Sequence, residues 1–446
     1  MNSPQTQTDA PSSPPLARRL GLFDAIMLVM GGIVGAGIFM NPYVVAQRVH
    51  TPALILGAWL GGGAIALAAA FIWAELADRM PRVGGQYAYL REAYNPLVAF
   101  LYGWVLLLVI QTGGMAAVVV TFSRYFMELT GWQGGEWQVG LTALAALTVV
   151  NCLGVRAGGT VQNGLMVIKI AAIVMLVASG AFLIRGHLIA WKPLLDQPVS
   201  PGLISAFGAA MVPVVFAYGG WQTASFVSGE MKQPRRDLPR ALVLGVSAVA
   251  LLYVSVNYVC LRALGPDALA QTRTPASAVM RLALGQRGAS LIALGIAISA
   301  LGFLSQSVLT APRVYFAMAE DGVFFRRLAW VNPRTQVPVV AIVAQSVWTM
   351  VIVLTGSYDT ILNYVTSMDA MFWVLTAGCL FILRRRAPAG SRFPMPGHPW
   401  TTAVFCLVCS GVVANSIYQY PKNTLIGMAI LASGVPLYYI WKMVTR

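Results

Sequence analysis

Apolar residues run along this chain in long blocks, separated by short polar breaks that contain Gly and Pro. Crossing the hydrocarbon core of a bilayer takes about 20 apolar residues in a helix. Runs of that kind fall near 22–49, 53–79, 95–127, 137–153, 161–184, 203–229, 241–262, 288–319, 338–356, 359–384, 402–420 and 423–444, about twelve in all. Within lipid every backbone N–H and C=O must be satisfied inside its own segment, so runs this long are read as helices. The alternating ten-residue strands of a transmembrane barrel are absent from the sequence. The stretch 80–94 is amphipathic and reads as a loop with room for a short surface helix.

Composition sharpens this picture. Of the 446 residues, 58% are hydrophobic and only 10% are charged, whereas a soluble domain is about a quarter charged. That excludes an ordinary soluble enzyme or a disordered chain and argues against a nucleic-acid partner, despite a net charge of +15. The basic residues are distributed unevenly. With the N-terminus inside, 20 of the 30 Lys and Arg fall at cytoplasmic ends and eight outside, while Arg124 and Lys169 fall within spans. The positive-inside rule then predicts a multi-pass protein of the cytoplasmic (inner) membrane, with both termini cytoplasmic and an even number of spans. Residues 1–20 are largely polar and Pro/Ser-rich and read as a disordered cytoplasmic tail. The five cysteines lie in or beside spans without metal-like spacing, and His50, His187 and His398 lie in loops. No metal, cofactor or enzymatic nucleophile–base pair is expected.

Two spans are unusual. The first contains Gly31-Gly32-Ile33-Val34-Gly35-Ala36-Gly37, and the sixth contains Phe216-Ala217-Tyr218-Gly219-Gly220-Trp221. Each glycine weakens a helix by about 1 kcal/mol. Close packing of helices explains isolated small-residue pairs. Four glycines within seven residues point instead to a break, and breaks five helices apart point to inverted repeats with a binding site at the midplane. A broken helix exposes unpaired N–H groups at one end and carbonyls at the other. The amides of Gly35, Ala36 and Gly37 are suited to a carboxylate, and the carbonyls of Ile33, Phe216 and Gly219 to an ammonium. Glycine leaves room for a ligand to approach the backbone. An anion end and a cation end in one site fit an α-amino acid.

At these residues the chain resembles the amino acid–polyamine–organocation superfamily, above all its L-type amino acid transporter branch and bacterial relatives. Gly35-Ala36-Gly37-Ile38-Phe39 resembles the signature GSGIF, and Phe216 to Trp221 resembles FAYGGW. Further matches lie at Glu75 to Tyr89, Gly229 to Arg240, Arg313 to Pro338 and Arg384 to Gly397, so the likeness covers about residues 20–440. The resemblance implies an all-α polytopic fold of LeuT type with about twelve transmembrane helices, helices one and six being broken. Residues 21–384 would form the transport core, with inverted repeats at about 21–184 and 203–384, and 385–446 a basic loop and two additional helices. It implies sodium-independent transport of α-amino acids by alternating access, as exchanger or proton-coupled symporter. It also implies that Phe216 closes over the substrate as a gate and that Lys169 carries an amine in place of a bound sodium ion. Ala36 lacks the hydroxyl of the usual Ser, and Gln222 stands where mammalian members often have Asn. The loop 128–137 has no cysteine, so no disulfide-linked heavy chain is expected.

Single residues leave choices open. A charge at Lys169 is functional by default in a span. It either reaches carbonyls of the first helix near Gly31 or Gly32, with or without a coupled proton, or snorkels to the interface. Asp369 either contacts the substrate side chain, relays a proton or bonds a neighbouring helix. Tyr218, Trp221, Gln222 and Asp369 are read as pocket support. Glu75 and Glu230, near arginines, read as ion pairs of a gate or of the framework, and Asp24 as a helix cap. Little charge near the breaks, together with the small Ala36 and Ala217, suggests neutral substrates. A cationic amino acid or polyamine is the alternative, and a nutrient receptor or membrane enzyme fits less well.

Overall fold

The computed structural model describes residues 18–35, 37–184, 189, 191–195, 198–355, 358–386, 390–419 and 421–444. Regular structure among them is helical, with one isolated bridge between Leu20 and Met231. In chain order the α-helices are α1 (Leu22–Ile33), α2 (Gly37–Ala46), α3 (Pro52–Arg79), α4 (Gln86–Ala93), α5 (Pro96–Val105), α6 (Gln111–Thr130), α7 (Glu136–Cys152), α8 (Val155–Phe182), α9 (Pro201–Tyr218), α10 (Thr223–Phe226), α11 (Pro234–Gln271), α12 (Pro275–Thr310), α13 (Pro312–Glu320), α14 (Val339–Thr355), α15 (Tyr358–Arg386), α16 (Trp400–Gln419) and α17 (Pro421–Val444). Among the described residues nine helical spans are long and apolar enough to cross a membrane, or ten with α1 and α2 counted as one bent span. The runs expected near 137–153 and 338–356 are the 17-residue helices α7 and α14. At 1.5 Å per residue each is about 25 Å long, somewhat short of a hydrocarbon core of about 30 Å.

Several sequence expectations change. Residues 1–17 of the expected tail lie outside the described residues. The tail does not extend to residue 20, because Arg19 and Leu20 donate backbone N–H groups to the Glu230 carbonyl and Lys232 N–H returns to Leu20. The helix within 80–94 is not a surface helix. In α4, Gln86 to Leu90 are buried, Gln86 donates to the Phe372 carbonyl and Tyr102 donates to Gln86. The stretch 263–287, read as a connection, is helical on both sides of kinks at Gly265 and Gly285. Both kinks have positive φ, a conformation open chiefly to glycine, and helical hydrogen bonding resumes beyond each. Asp24 caps as expected, accepting from Gly21 N–H at 2.9 Å and from Asn163 at 2.7 Å.

The interior is aromatic and tightly packed. Trp59, Tyr218 and Tyr253 cluster with ring centroids 5.0–6.0 Å apart. Two buried ion-pair centres cross-link the helix ends. Arg313 of α13 donates to both Glu230 oxygens at 2.6 and 3.2 Å, with both side chains fully buried. Glu75 of α3 accepts from Arg79, from Arg384 of α15 and, at 2.7 Å, from the Met395 N–H of the segment before α16. Both acids thus form the ion pairs expected of them, and these bind separate parts of the chain together.

Candidate functional site

The glycine-rich stretches interrupt their helices. Helix α1 ends at Ile33, Val34 is extended, and α2 begins at Gly37 with its axis turned by about 40°. Ala36 lies outside the described residues. Helix α9 ends at Tyr218, Gly219 is extended and Gly220 has φ of 111°. The two interruptions touch. A Cβ on Gly220 would overlap the carbonyl of Gly32, and one on Gly32 would come within 2.6 Å of the Gly220 oxygen. Only glycine at both positions lets these backbones approach so closely.

A helix end leaves carbonyls without i+4 partners, and α1 shows where they go. The Ile33 carbonyl accepts from Tyr253 Oη at 3.2 Å, and the Val34 carbonyl accepts from Lys169 Nζ. Lys169 is fully buried. Its helix starts at Val155, so it lies about 21 Å along α8 at 1.5 Å per residue, far beyond snorkelling reach. Its partner is the Val34 carbonyl, inside the break, and not that of Gly31 or Gly32. Gly302 of α12 makes room for the amine. A Cβ there would lie 3.2 Å from Lys169 Cε and 3.3 Å from Nζ. On the other broken helix, the Phe216 carbonyl accepts from Gly219 N–H at 3.1 Å, and the Gly220 carbonyl accepts from Thr223 Oγ1 at 2.7 Å.

Between the two interruptions lies a cavity of about 100 Å³. Of the sequence-expected residues, Ile33, Gly35, Gly37, Phe216, Gly219, Gln222 and Asp369 line it. Gln222 ties the break after α9 to α15: its Oε1 accepts from Gly220 N–H at 3.1 Å, and its Nε2 faces the Asp369 oxygens at 3.4 and 3.3 Å. Asp369 thus both faces the cavity and bonds the neighbouring broken helix. Tyr218 and Trp221 are not on the cavity wall. Tyr218 points the other way and donates to the Trp59 carbonyl of α3 at 3.1 Å. Trp221 is buried behind Trp373, with ring centroids 4.6 Å apart.

The structure adds wall residues that the sequence reading missed. Trp373 covers Gly219, its ring 3.0 Å from where a Cβ would stand. It lies four residues after Asp369, hence on the same face of α15, a spacing visible in the sequence. Phe303 of α12 and Thr223 also line the cavity. Gln111, Gly114 and Thr121 come from α6, just past a π-turn at Leu106–Ile110 that leaves Thr112 Oγ1 bonded to the Leu107 carbonyl five residues back. π-turns inside helices recur at functional sites. Ser299, Ser305, Gln306 and Asn257, considered as possible lining, stand off the wall. Gln306 donates to Thr223 at 2.5 Å, and Asn257 bonds within its own helix.

A helical bundle whose interrupted helices meet at a buried cavity is the architecture of a membrane permease, and the sequence comparison agrees. The chain belongs to the amino acid permease family, whose description matches residues 20–439. It is similar to the serine/threonine exchanger SteT of Bacillus subtilis (strain 168), with 31% identity over 95% of this chain and 97% of that protein. It is also similar to the human large neutral amino acids transporter small subunit 2, at 28% identity over 95% of this chain and 80% of that one. The human cystine/glutamate transporter is 28% identical over 96% of this chain and 85% of its own length. These relatives are transporters, and the chain is a multi-pass membrane protein of that kind rather than an enzyme.

Proposed function

We propose that this protein is a sodium-independent secondary transporter that exchanges small, neutral α-amino acids across the cytoplasmic membrane by alternating access. The observation that carries the reading is the meeting of the two interrupted helices at one cavity. The backbone N–H groups of Gly35 and Gly37, at the N-terminal end of α2, suit a carboxylate, and the sequence assigns the intervening Ala36, outside the described residues, to the same role. The carbonyls of Phe216 and Gly219 receive the ammonium, with Ile33 sharing its carbonyl with Tyr253. Phe216 closes over the ligand as the gate. Lys169 supplies, from one fixed amine on Val34, the positive charge that a sodium ion gives other transporters at such a break. A cavity of about 100 Å³ suits a molecule of few heavy atoms, since an engineered cavity of about 150 Å³ takes benzene. Exchange is the mode named for the bacterial relative.

In this reading residues 21–184 and 203–384 are inverted repeats, 385–446 an appended pair of helices, and both termini are cytoplasmic. The excess of Arg and Lys at one set of helix ends supports that orientation. The test is uptake of labelled neutral amino acids into proteoliposomes, at equal pH and without sodium, with and without unlabelled amino acid inside. Uptake confined to preloaded vesicles is expected. Uptake into empty vesicles as well would replace exchange by net transport, and uptake into neither would end the proposal.

A further inference from the structure

The cavity wall carries a carboxylate whose described partners do not account for it. Asp369 faces Gln222 Nε2 through two long contacts of 3.4 and 3.3 Å and has the Trp373 indole as its other donor neighbour, and among the described residues no Lys, Arg or His forms an ion pair with it. An ionised carboxylate has about four acceptor positions. Ile110, Val118, Phe303 and Val365 make part of the surrounding wall apolar, while Gln111, Thr121 and Thr223 bring polar groups to other parts of it. An acceptor facing such a wall is unfavourable until a donor reaches it. Gln222 is held in one orientation because its Oε1 is occupied by Gly220 N–H, so it cannot turn to meet the carboxylate more fully. The small volume limits how long a side chain can be.

We propose that Asp369, with Gln222, forms the side-chain subsite of the cavity and selects short side chains that carry a hydrogen-bond donor, a hydroxyl or an amino group. This rests on the transport reading: a hydroxyl narrows its neutral substrate class, and an amino group would extend that class to short cationic side chains. A site built to bond a substrate donor disfavours the analogue lacking it, because the buried acceptor is left unpaired.

The test uses two pairs nearly equal in size: threonine against valine, and 2,3-diaminopropionate against 2-aminobutyrate. Each competes for exchange by the full-length wild type and Asp369→Asn in proteoliposomes. Asn keeps an acceptor for Gln222 but loses the charge. In the wild type the donor-bearing member of at least one pair should compete at least about tenfold better. The pair with the larger ratio identifies the donor. In Asp369→Asn that ratio should fall below about threefold. Equal competition within both pairs in the wild type overturns the proposal even if the variant cannot be purified, and so does a preference that survives in Asp369→Asn. Exchange of no amino acid at all fails the transport reading instead.

Discussion

Replacing Lys169 with Met separates what the amine does from what its stem does. The methionine chain nearly matches the lysine stem in length and stays apolar, so packing against Gly302 is kept while the donor to Val34 is lost. A hydrogen bond from a charged donor contributes about 1.5–3 kcal/mol, and each 1.4 kcal/mol is a factor of ten. If that bond holds the break in the geometry that binds substrate, the competent fraction falls about 10- to 100-fold, and apparent affinity falls with it. Stability should move differently. Burying an ammonium is unfavourable, and exchanging buried ionic groups for apolar ones of similar volume is often neutral or stabilising. The expected outcome is an unchanged or raised melting temperature in detergent together with at least tenfold slower initial uptake at low substrate concentration. Wild-type uptake in Lys169→Met would refute the reasoning. A variant that loses uptake only in proportion to lost folded protein would reduce Lys169 to a structural peg.

Three further perturbations probe the surroundings. Gly220→Ala places a Cβ against the Gly32 carbonyl in a left-handed backbone, at about 1–2 kcal/mol for the conformation and about 1–3 kcal/mol for the overlap; uptake should be lost and the melting temperature lowered, and wild-type behaviour would contradict the close approach of the two breaks. Glu230→Gln leaves the fully buried Arg313 uncompensated, a loss of about 3–5 kcal/mol. It should lower the melting temperature sharply, whereas Glu230→Gln with Arg313→Met should recover much of the loss. Trp373→Ala uncovers Gly219 and should let larger amino acids compete for uptake; an unchanged size limit in a competition series would remove Trp373 from the wall.

Much of this fold is legible because lipid imposes one rule on every span, and the runs of apolar residues obey it. The two interruptions were legible from their motifs more than from glycine itself, since Gly61-Gly62-Gly63 lies within the continuous helix α3, where small residues let Val214 and Tyr218 pack closely. What escaped depends on register. Lys169 looked close to a membrane interface because the apolar run begins near 161. The helix begins at Val155, its first turns carrying Gly158, Gly159, Thr160 and Gln162, which dilute the apolar signal but are fixed by tertiary packing such as Gly158 against Asn151 and Leu309. The π-turn at Leu106–Ile110 itself contains neither Gly nor Pro, so no residue within it announces the shift that turns Gln111 and Gly114 toward the cavity.

Tyr218 shows the opposite case, where the information was present and unused. Successive helical residues are about 100° apart, so Tyr218 points about 200° from Phe216, away from whatever Phe216 faces. Its bond to Trp59 on α3 is the consequence. The same arithmetic on α15 puts Asp369 and Trp373 together on the wall. The backbone end of the site could be read from glycines because any amino acid presents the same head group. Its side-chain end could not, because residues from α6, α9, α12 and α15 meet there and no single stretch of sequence records their meeting. Asp369 shows the limit: the sequence marks it as a buried acid, but only its position between Gln222 and an apolar wall turns it from a structural residue into one that can choose a substrate.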